Sequence, residues 1–370
     1  MDIAQIARRF PLVARPRPPC LPLAERVRQI GDLARAAESD GNQALAAAAQ
    51  NKAALIASDC GLPDLASSLC WRHFETYLSG RPLDPAVARH ALEPLVNLAR
   101  LLIREGDGDG AYRLLGTLFH AVTARTDTEL DGRYVSFRNF TTPGEDHRTL
   151  CQWLWTVLLA DGTRALASAG RWEEALTHAE RHKGVGRRLL DGRQVAVLAH
   201  LHADDPATAF TLLQDSTPAE PWEQTVTACL TVLCLSATAR PVDSALTTMV
   251  NNYLRLHTAP GLAVFHARLG MTVIDLAEAA ERRPDAAPAA TRLLQEAVAN
   301  GDGYVARDIL AHHLCRTQLL TTEQNTLSNR VQLSGLHRGT IPDHLMADLL
   351  AAVKASETVT ARHRLLRAMQ

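Results

Sequence analysis

Apolar residues recur along most of this chain at intervals of three and four, the spacing that places them on one face of an α-helix. The segment from Pro85 to Glu105 shows the pattern clearly, with apolar positions at Leu92, Leu95, Val96, Leu98, Ala99, Leu102 and Ile103. Glycine, proline and short polar turns separate one such run from the next. The pattern therefore predicts an all-α protein built from successive helices.

Two neighbouring parts of the chain repeat one pattern at a fixed offset. In the first part an apolar run reaches a turn at Gly170 and continues to Ala175, and in the second a similar run reaches Asp204 and continues to Ala209. Both pairs of positions are 34 residues apart. This is the period of a repeat made of two helices joined by a turn.

The segment that begins at Gly170 resembles a tetratricopeptide repeat. A small residue occupies the turn, Trp172 follows two residues later, and Ala175 and Ala179 occupy the small-residue positions. The same template fits the segments that begin at Gly61, Gly106 and Gly301. The resemblance implies a right-handed α-solenoid of antiparallel helix pairs, in which the first helix of each pair lines a concave groove. Intervals of 45 and 64 residues between the turns before Gly170 depart from the standard period, so we expect degenerate repeats.

The predicted organisation has five parts. These are a proline-rich N-terminal arm at 1–22, N-terminal helical repeats at 23–125, an insertion at 126–147, central and C-terminal helical repeats at 148–320, and a C-terminal helical cap at 321–370. The prolines of the arm exclude a helix, and we expect the arm to lie on the surface or to be disordered. The cap would give the last repeat a polar outer face.

The insertion departs from the helical spacing of the segments on either side of it. Asp131-Gly132 is typical of a tight turn, and the alternation from Tyr134 to Phe140 favours a short strand or an extended loop. Insertions in helical repeats often gather on the binding face, which makes this segment a candidate for function. The alternative is that its aromatic side chains cover a neighbouring helix pair.

The resemblance also projects six residues onto the concave groove. Asn97, Arg100 and Arg104 are spaced i, i+3 and i+7, so they share one face of a helix. Such a stripe can hold a carboxylate, an acidic peptide or a phosphate through bidentate hydrogen bonds. The full predicted peptide- or anion-binding set is Asn51, Asn97, Arg100, Arg104, Arg164 and Gln194. The alternative is that these arginines pair with acidic residues of the adjacent helix or lie in solvent.

A second basic segment follows the central repeat. Arg187, Arg188 and Arg193 lie near Gly186 and Gly192, and glycines of this kind can expose main-chain N–H groups to an anion. These three arginines form a secondary anion-binding candidate. The segment lacks the spacing of a phosphate-binding P-loop, and a solvated connection between repeats is the simpler interpretation.

Charge and cysteine usage limit the partners and the compartment. The formal net charge is -1, so no overall field favours nucleic acid or an anionic membrane. The seven cysteines are widely spread, mostly within apolar runs, and are expected to be reduced thiols in the cytoplasm. We find no secretory signal pattern and no apolar run long enough to span a bilayer.

Catalytic and metal motifs give little support for an enzyme. His178 and His182 have a metal-compatible i, i+4 spacing but lack the glutamate of a hydrolase motif. We therefore predict no metal, no cofactor and no catalytic residue. Glu145, Asp146 and His147 are the acid–base candidates beside the insertion, although a helix N-cap followed by a polar first turn explains them equally well.

The sequence thus predicts a helical-repeat module that binds a protein or peptide through its groove, as a regulator or an accessory scaffold. Its size and plan look like those of bacterial peptide-responsive regulators without a DNA-binding domain, and no direct nucleic-acid binding is expected. An all-helical enzyme of an unfamiliar family, with a site near the 126–147 insertion, is the alternative. A third hypothesis is an assembly subunit that forms a homodimer.

Overall fold

The computed structural model describes residues 6–78 and 81–368. The chain forms two compact units. Unit 1 contains Met1–Leu21 and Leu166–Ser334, and unit 2 contains Pro22–Ala165 and Gly335–Gln370. The predicted cap at 321–370 is thus divided between the two units, and its residues 369–370 lie outside the described residues, as do residues 1–5 of the predicted arm.

The described chain is almost entirely helical, which confirms the all-α prediction. The elements up to the end of the insertion are α1 (Leu23–Asp40), α2 (Gln43–Asp59), α3 (Pro63–Glu75), α4 (Pro85–Glu105), α5 (Gly108–Ala124), β1 (Asp127–Leu130) and β2 (Arg133–Ser136). The central elements are α6 (Glu145–Ser168), α7 (Trp172–Arg181), α8 (Asp191–His202), α9 (Pro206–Gln214), α10 (Pro221–Ala237) and α11 (Asp243–Arg255). The last are α12 (Ala263–Ala279), a 3-10 turn (Arg283–Ala286), α13 (Ala287–Ala299), α14 (Gly303–Ala311), α15 (His313–Arg316), α16 (Thr321–Ser334) and α17 (Asp343–Ala368).

In unit 2 each helix from α1 to α5 packs against the next in sequence, and α17 packs against α1 and α2. Helix α2 also contacts α4, its neighbour but one. The face of α2 is built from alanines, including the fully buried Ala46, Ala49, Ala53 and Ala57, so neighbouring helices approach closely with little loss of side-chain entropy. Larger side chains such as Leu92, Leu95 and Leu115 complete this core.

Unit 1 has contacts of the same two kinds. Consecutive helices pack together from α7 to α14, and helices next but one in sequence also touch. The second kind of contact links α8 to α10, α10 to α12 and α12 to α14, and α11 to α13. The alternate helices α8, α10, α12 and α14 therefore lie side by side in one row.

The insertion forms an antiparallel hairpin of β1 and β2, and the turn predicted at Asp131-Gly132 is confirmed. Both turn residues have positive φ, which matches the right-handed twist of a two-residue hairpin. Phe137 and Phe140 are buried in the core of unit 2, so these two aromatic rings cover helices as the alternative interpretation expected. The exposed aromatic side chain of the segment is Tyr134.

The described part of the arm exposes Pro16, Pro18 and Pro19 and buries four other side chains. Residues 10–22 contain no helix, as the prolines require, but Ile6, Phe10, Leu12 and Cys20 are each no more than 3% exposed. Proline density excludes helix and strand pairing, yet it does not prevent an extended segment from burying alternate side chains. Among the described residues, no helix is long and apolar enough to cross a bilayer.

Close main-chain approach makes Gly192 a sensitive position in unit 1. A Cβ added there would lie 2.3 Å from the carbonyl oxygen of Gly184. We expect Gly192→Ala to lower the free energy of unfolding by about 1–3 kcal/mol through overpacking. Gly116→Ala, in the interior of α5 with no atom within 4 Å of the added Cβ, is the control and should stabilise by about 0.5–1 kcal/mol. Denaturant titration measures both, and equal midpoints for the two variants would contradict the packing argument.

His73 should make unit 2 sensitive to acid. Both ring nitrogens are buried without a hydrogen-bond partner, and burial lowers the pKa of His73 from 6.5 to about 3. Between these values the unfolded chain binds a proton that the folded ring cannot, so stability falls as the pH drops below about 6.5.

We expect the free energy of unfolding to fall by about 2 kcal/mol between pH 7 and pH 5 from this group. His73→Phe should remove that loss, whereas a variant of the exposed His120, His120→Gln, should keep it. Urea titrations at both pH values give the answer, and an undiminished loss in His73→Phe would exclude His73 as its source.

Candidate functional site

The predicted asparagines lie on alternate helices of unit 2 and bond to each other. Asn97 of α4 donates from Nδ2 to Oδ1 of Asn51 in α2 at 3.0 Å. Asn51 in turn donates to Oε2 of Glu93 at 3.3 Å. The structure therefore brings these side chains into one hydrogen-bonded line, which is partly exposed.

Arg100 and Arg164 extend this line by sharing one carboxylate of α6. Arg100 donates from Nε to Oδ2 of Asp161 at 2.9 Å and from Nη1 to Oδ1 of Asn97 at 3.2 Å. Arg164 donates to the other oxygen of Asp161 at 3.1 Å. We call the set Glu93, Asn51, Asn97, Arg100, Asp161 and Arg164 the polar row.

Burial is unequal along the polar row. The Asp161 side chain is 5% exposed, whereas those of Arg100 and Arg164 are 49% and 39% exposed. The buried carboxylate of Asp161 binds both guanidinium groups on the side that faces the core, and the arginine side chains are partly exposed on the other side. Each guanidinium carries five donors, and the contacts of Arg100 with Asp161 and Asn97 use three of them, so Arg100 keeps donors for an external acceptor.

Arg104 belongs to a second cluster on the same helix. Its guanidinium and that of Arg26 bind the two oxygens of Asp59, whose side chain is fully buried. All three predicted arginines of this unit thus pair with buried aspartates, and the aspartate that binds Arg164 lies on its own helix rather than on an adjacent one. Asp59 and Asp161 escaped notice in the sequence, although each stands within an apolar helical run, an unusual position for an unpaired acid.

The charges of these two clusters do not cancel. Four guanidiniums (Arg26, Arg100, Arg104 and Arg164) face three carboxylates (Asp59, Asp161 and Glu93), which leaves a local charge of +1 in a protein with a formal net charge of -1. This excess lies on the α4 face with partly exposed guanidiniums. The arrangement is suited to an anionic group with two oxygens, such as a carboxylate.

Gln194, the predicted groove residue of unit 1, is fully buried and holds the main chain of the arm. Its Oε1 accepts from the N–H of Leu12 at 2.7 Å, and its Nε2 donates to the carbonyl of Leu12 at 2.8 Å. Gln194 belongs to unit 1, whereas the polar row belongs to unit 2.

The three secondary candidates bind different acceptors. Arg188 binds the buried carboxylate of Glu223. Arg187 donates to the carbonyl of Asp215 at 3.0 Å, and Arg193 donates to Ser216 Oγ at 3.1 Å. Arg187 and Arg188 lie in the connection before α8, whereas Arg193 lies in its first turn.

The acid–base candidates of the alternative function lie in the first turn of α6, with Glu145 and Asp146 as its acidic residues. Nε2 of His147 lies 3.2 Å from the carbonyl of Thr123 and 3.4 Å from Sγ of Cys151. Burial raises the pKa of Cys151, so its thiol stays protonated at neutral pH and lacks the character of an activated nucleophile.

Two surface clefts of the described chain lie away from these residues. One of about 480 Å³ lies between α3 and α17, and one of about 80 Å³ lies between α12 and α13. Neither is lined by Glu145, Asp146 or His147. Within residues 6–78 and 81–368 no group of three or more His, Cys, Asp or Glu side chains is arranged to hold a metal ion.

Comparisons with protein-family models, with curated proteins and with solved structures gave no match for this chain.

Two aspartates that each bind two arginines test the importance of burial for these clusters. Asp59 binds Arg26 and Arg104 with its side chain fully buried, and Asp32 binds Arg28 and Arg35 with its side chain 48% exposed. Asp59→Ala should cost about 3–5 kcal/mol of unfolding free energy because it leaves buried guanidinium charge unpaired. Asp32→Ala should cost less than about 1 kcal/mol, as for a surface ion pair. Chemical denaturation of both variants measures the difference, and similar losses would contradict the assigned role of Asp59.

Proposed function

We propose that this chain is a non-enzymatic helical-repeat module of the tetratricopeptide kind, with a right-handed solenoid arrangement, and that it binds an acidic segment of a protein or peptide. The contacts between alternate helices support the solenoid part of the proposal, because each first helix then lies beside the first helix of the next pair. The 34-residue offset between Gly170 and Asp204 supports it independently.

The polar row carries the proposal about the ligand. It crosses α2, α4 and α6, three alternate helices of unit 2, and ends in two partly exposed guanidiniums anchored on one buried carboxylate. Because Asp161 already orders the side chains of Arg100 and Arg164, less side-chain entropy would be lost when a ligand binds. A carboxylate of the ligand would bind the outer donors of Arg100 and Arg164.

The asparagines suit a peptide better than a free anion. Asn51 and Asn97 combine donors and acceptors in one side chain, which matches the alternating N–H and carbonyl groups of an extended main chain. The proposed ligand is therefore an extended acidic segment. Its acidic side chain or free C-terminus would bind the arginines, and its main-chain groups would bind the asparagines. A cytoplasmic regulator or accessory scaffold is the role that fits such a module.

Fluorescence anisotropy with a short labelled Gly/Ser/Glu peptide that has a free C-terminal carboxylate tests this proposal. Arg100→Lys/Arg164→Lys keeps the charge and a cation beside Asp161, but removes the planar fork that holds a carboxylate. We expect the double variant to bind the peptide at least about tenfold more weakly, because a charge-assisted hydrogen bond contributes about 1.5–3 kcal/mol.

The matched control is Arg28→Lys/Arg35→Lys, which changes two exposed arginines that also share one aspartate, Asp32. It should leave the affinity unchanged within about twofold. A peptide with lysine in place of glutamate and an amidated C-terminus should not bind. Equal affinity of both double variants for the acidic peptide, or no measurable binding by the unmodified chain, would refute the proposed function.

A further inference from the structure

The arm crosses unit 1 as an extended segment, and unit 1 holds its main chain at several points. The side-chain amide of Gln194 in α8 binds both main-chain groups of Leu12. The N–H of Arg17 donates to the carbonyl of Gly261, just before α12, at 3.0 Å. The N–H of Cys20 donates to Oδ1 of Asp302 at 3.2 Å.

Cys20 also shows how closely the arm approaches α14. Its carbonyl accepts from the N–H of Gly303, the first residue of α14, at 2.8 Å. A Cβ added at Gly303 would lie 3.1 Å from this carbonyl oxygen and 2.2 Å from Oγ of Ser334. Unit 1 thus binds the main chain of the arm through groups that would recognise any extended peptide.

The arginines of the arm meet acidic or aromatic side chains of the same helices. Arg15 binds Asp191 at the start of α8, with its Nη1 at 3.1 Å from Oδ1 and its Nη2 at 2.5 Å from Oδ2. Arg9 forms an ion pair of 2.5 Å with Asp275 of α12, a carboxylate that is 1% exposed.

Arg17 supplies a third such contact, since its guanidinium lies 4.0 Å from the ring centre of Tyr304 in α14. Three helices of one row, α8, α12 and α14, therefore each bind one arginine of the arm. Between these contacts Phe10 and Leu12 are buried.

We infer that the row of α8, α12 and α14 is a second peptide-binding groove, specific for an extended arginine-bearing segment, and that residues 9–20 of the chain fill it in cis. The contacts are those of a bound peptide, because main-chain hydrogen bonds and spaced guanidinium contacts, rather than a packed helix, hold the arm. A peptide of the arm's own sequence competes for this groove in trans. The charge selectivity is opposite to that of the polar row, since the groove presents Asp191 and Asp275.

The test uses the full chain and a labelled peptide of residues 6–21 with serine at the position of Cys20. Leu12→Pro/Arg15→Glu in the chain removes the N–H that binds Gln194 and places a carboxylate against Asp191, so it should release the arm. We expect this variant to bind the peptide at least about tenfold more tightly than the unmodified chain, in which the tethered arm competes at an effective concentration of about millimolar.

Two controls define the groove. Adding Gln194→Met to the released variant should weaken binding at least about tenfold, since it removes the clamp on the main chain. A peptide in which the arginines of the arm are replaced by glutamate should not bind the released variant. Hydrogen exchange of the Arg17 amide reports release of the arm, and it should speed up while the amides of α8 and α12 stay protected.

Three results would overturn the inference. An Arg17 amide that stays protected means that the arm does not depend on these contacts. Loss of protection throughout α8, α12 and α14 means that the arm is part of the core rather than a ligand. A released arm without tighter peptide binding means that the row does not form an independent groove.

Discussion

Burial of carboxyl side chains among packed helices is the constraint on which both units depend. Five acidic side chains are buried in the described chain, namely Asp59, Asp161, Glu223, Asp275 and Asp302. A buried carboxylate without partners is costly, so each must meet donors from other segments. Asp59 meets Arg26 and Arg104, Asp161 meets Arg100, and Glu223 meets Arg188. Asp275 meets His312 and Arg9, and Asp302 meets the N–H of Cys20.

These pairings restrict how the helices pack. Alanine- and leucine-rich faces can slide past one another with small changes in buried area, whereas a buried acid accepts few arrangements. We infer that the acids select the register of the helices and the path of the arm. The same pairings order arginine side chains at the surface of α4 and α6. An arginine side chain that is already ordered loses less entropy when it binds a second carboxylate. A structural requirement thus prepares the polar row for the proposed function.

The helical pattern could be predicted because each helix shows its apolar spacing locally, and the turns at Gly170 and Asp204 have the positive φ typical of helix ends. The resemblance to tetratricopeptide repeats grouped Asn51, Asn97, Arg100 and Arg164, but it placed Arg104 and Gln194 in the same set, and these two bind Asp59 and Leu12 instead. Asp161, the partner of Arg100 and Arg164, could not be predicted. A single acid in an apolar run carries no local signal of which residues it will contact. The anchoring of the arm could not be predicted either, because the contact of Leu12 with Gln194 joins residues 182 positions apart.

The central claim is that Arg100 and Arg164 form a prepared site for an acidic segment, and arginine footprinting of the unmodified chain addresses it most directly. The guanidinium groups are modified with phenylglyoxal in the absence and presence of the acidic peptide, and mass spectrometry measures the modification rate at each arginine. The proposed site predicts that saturating peptide slows modification of Arg100 and Arg164 by about tenfold while Arg28 and Arg35 keep their rates. Equal slowing at all four arginines, or none at Arg100 and Arg164, would contradict it.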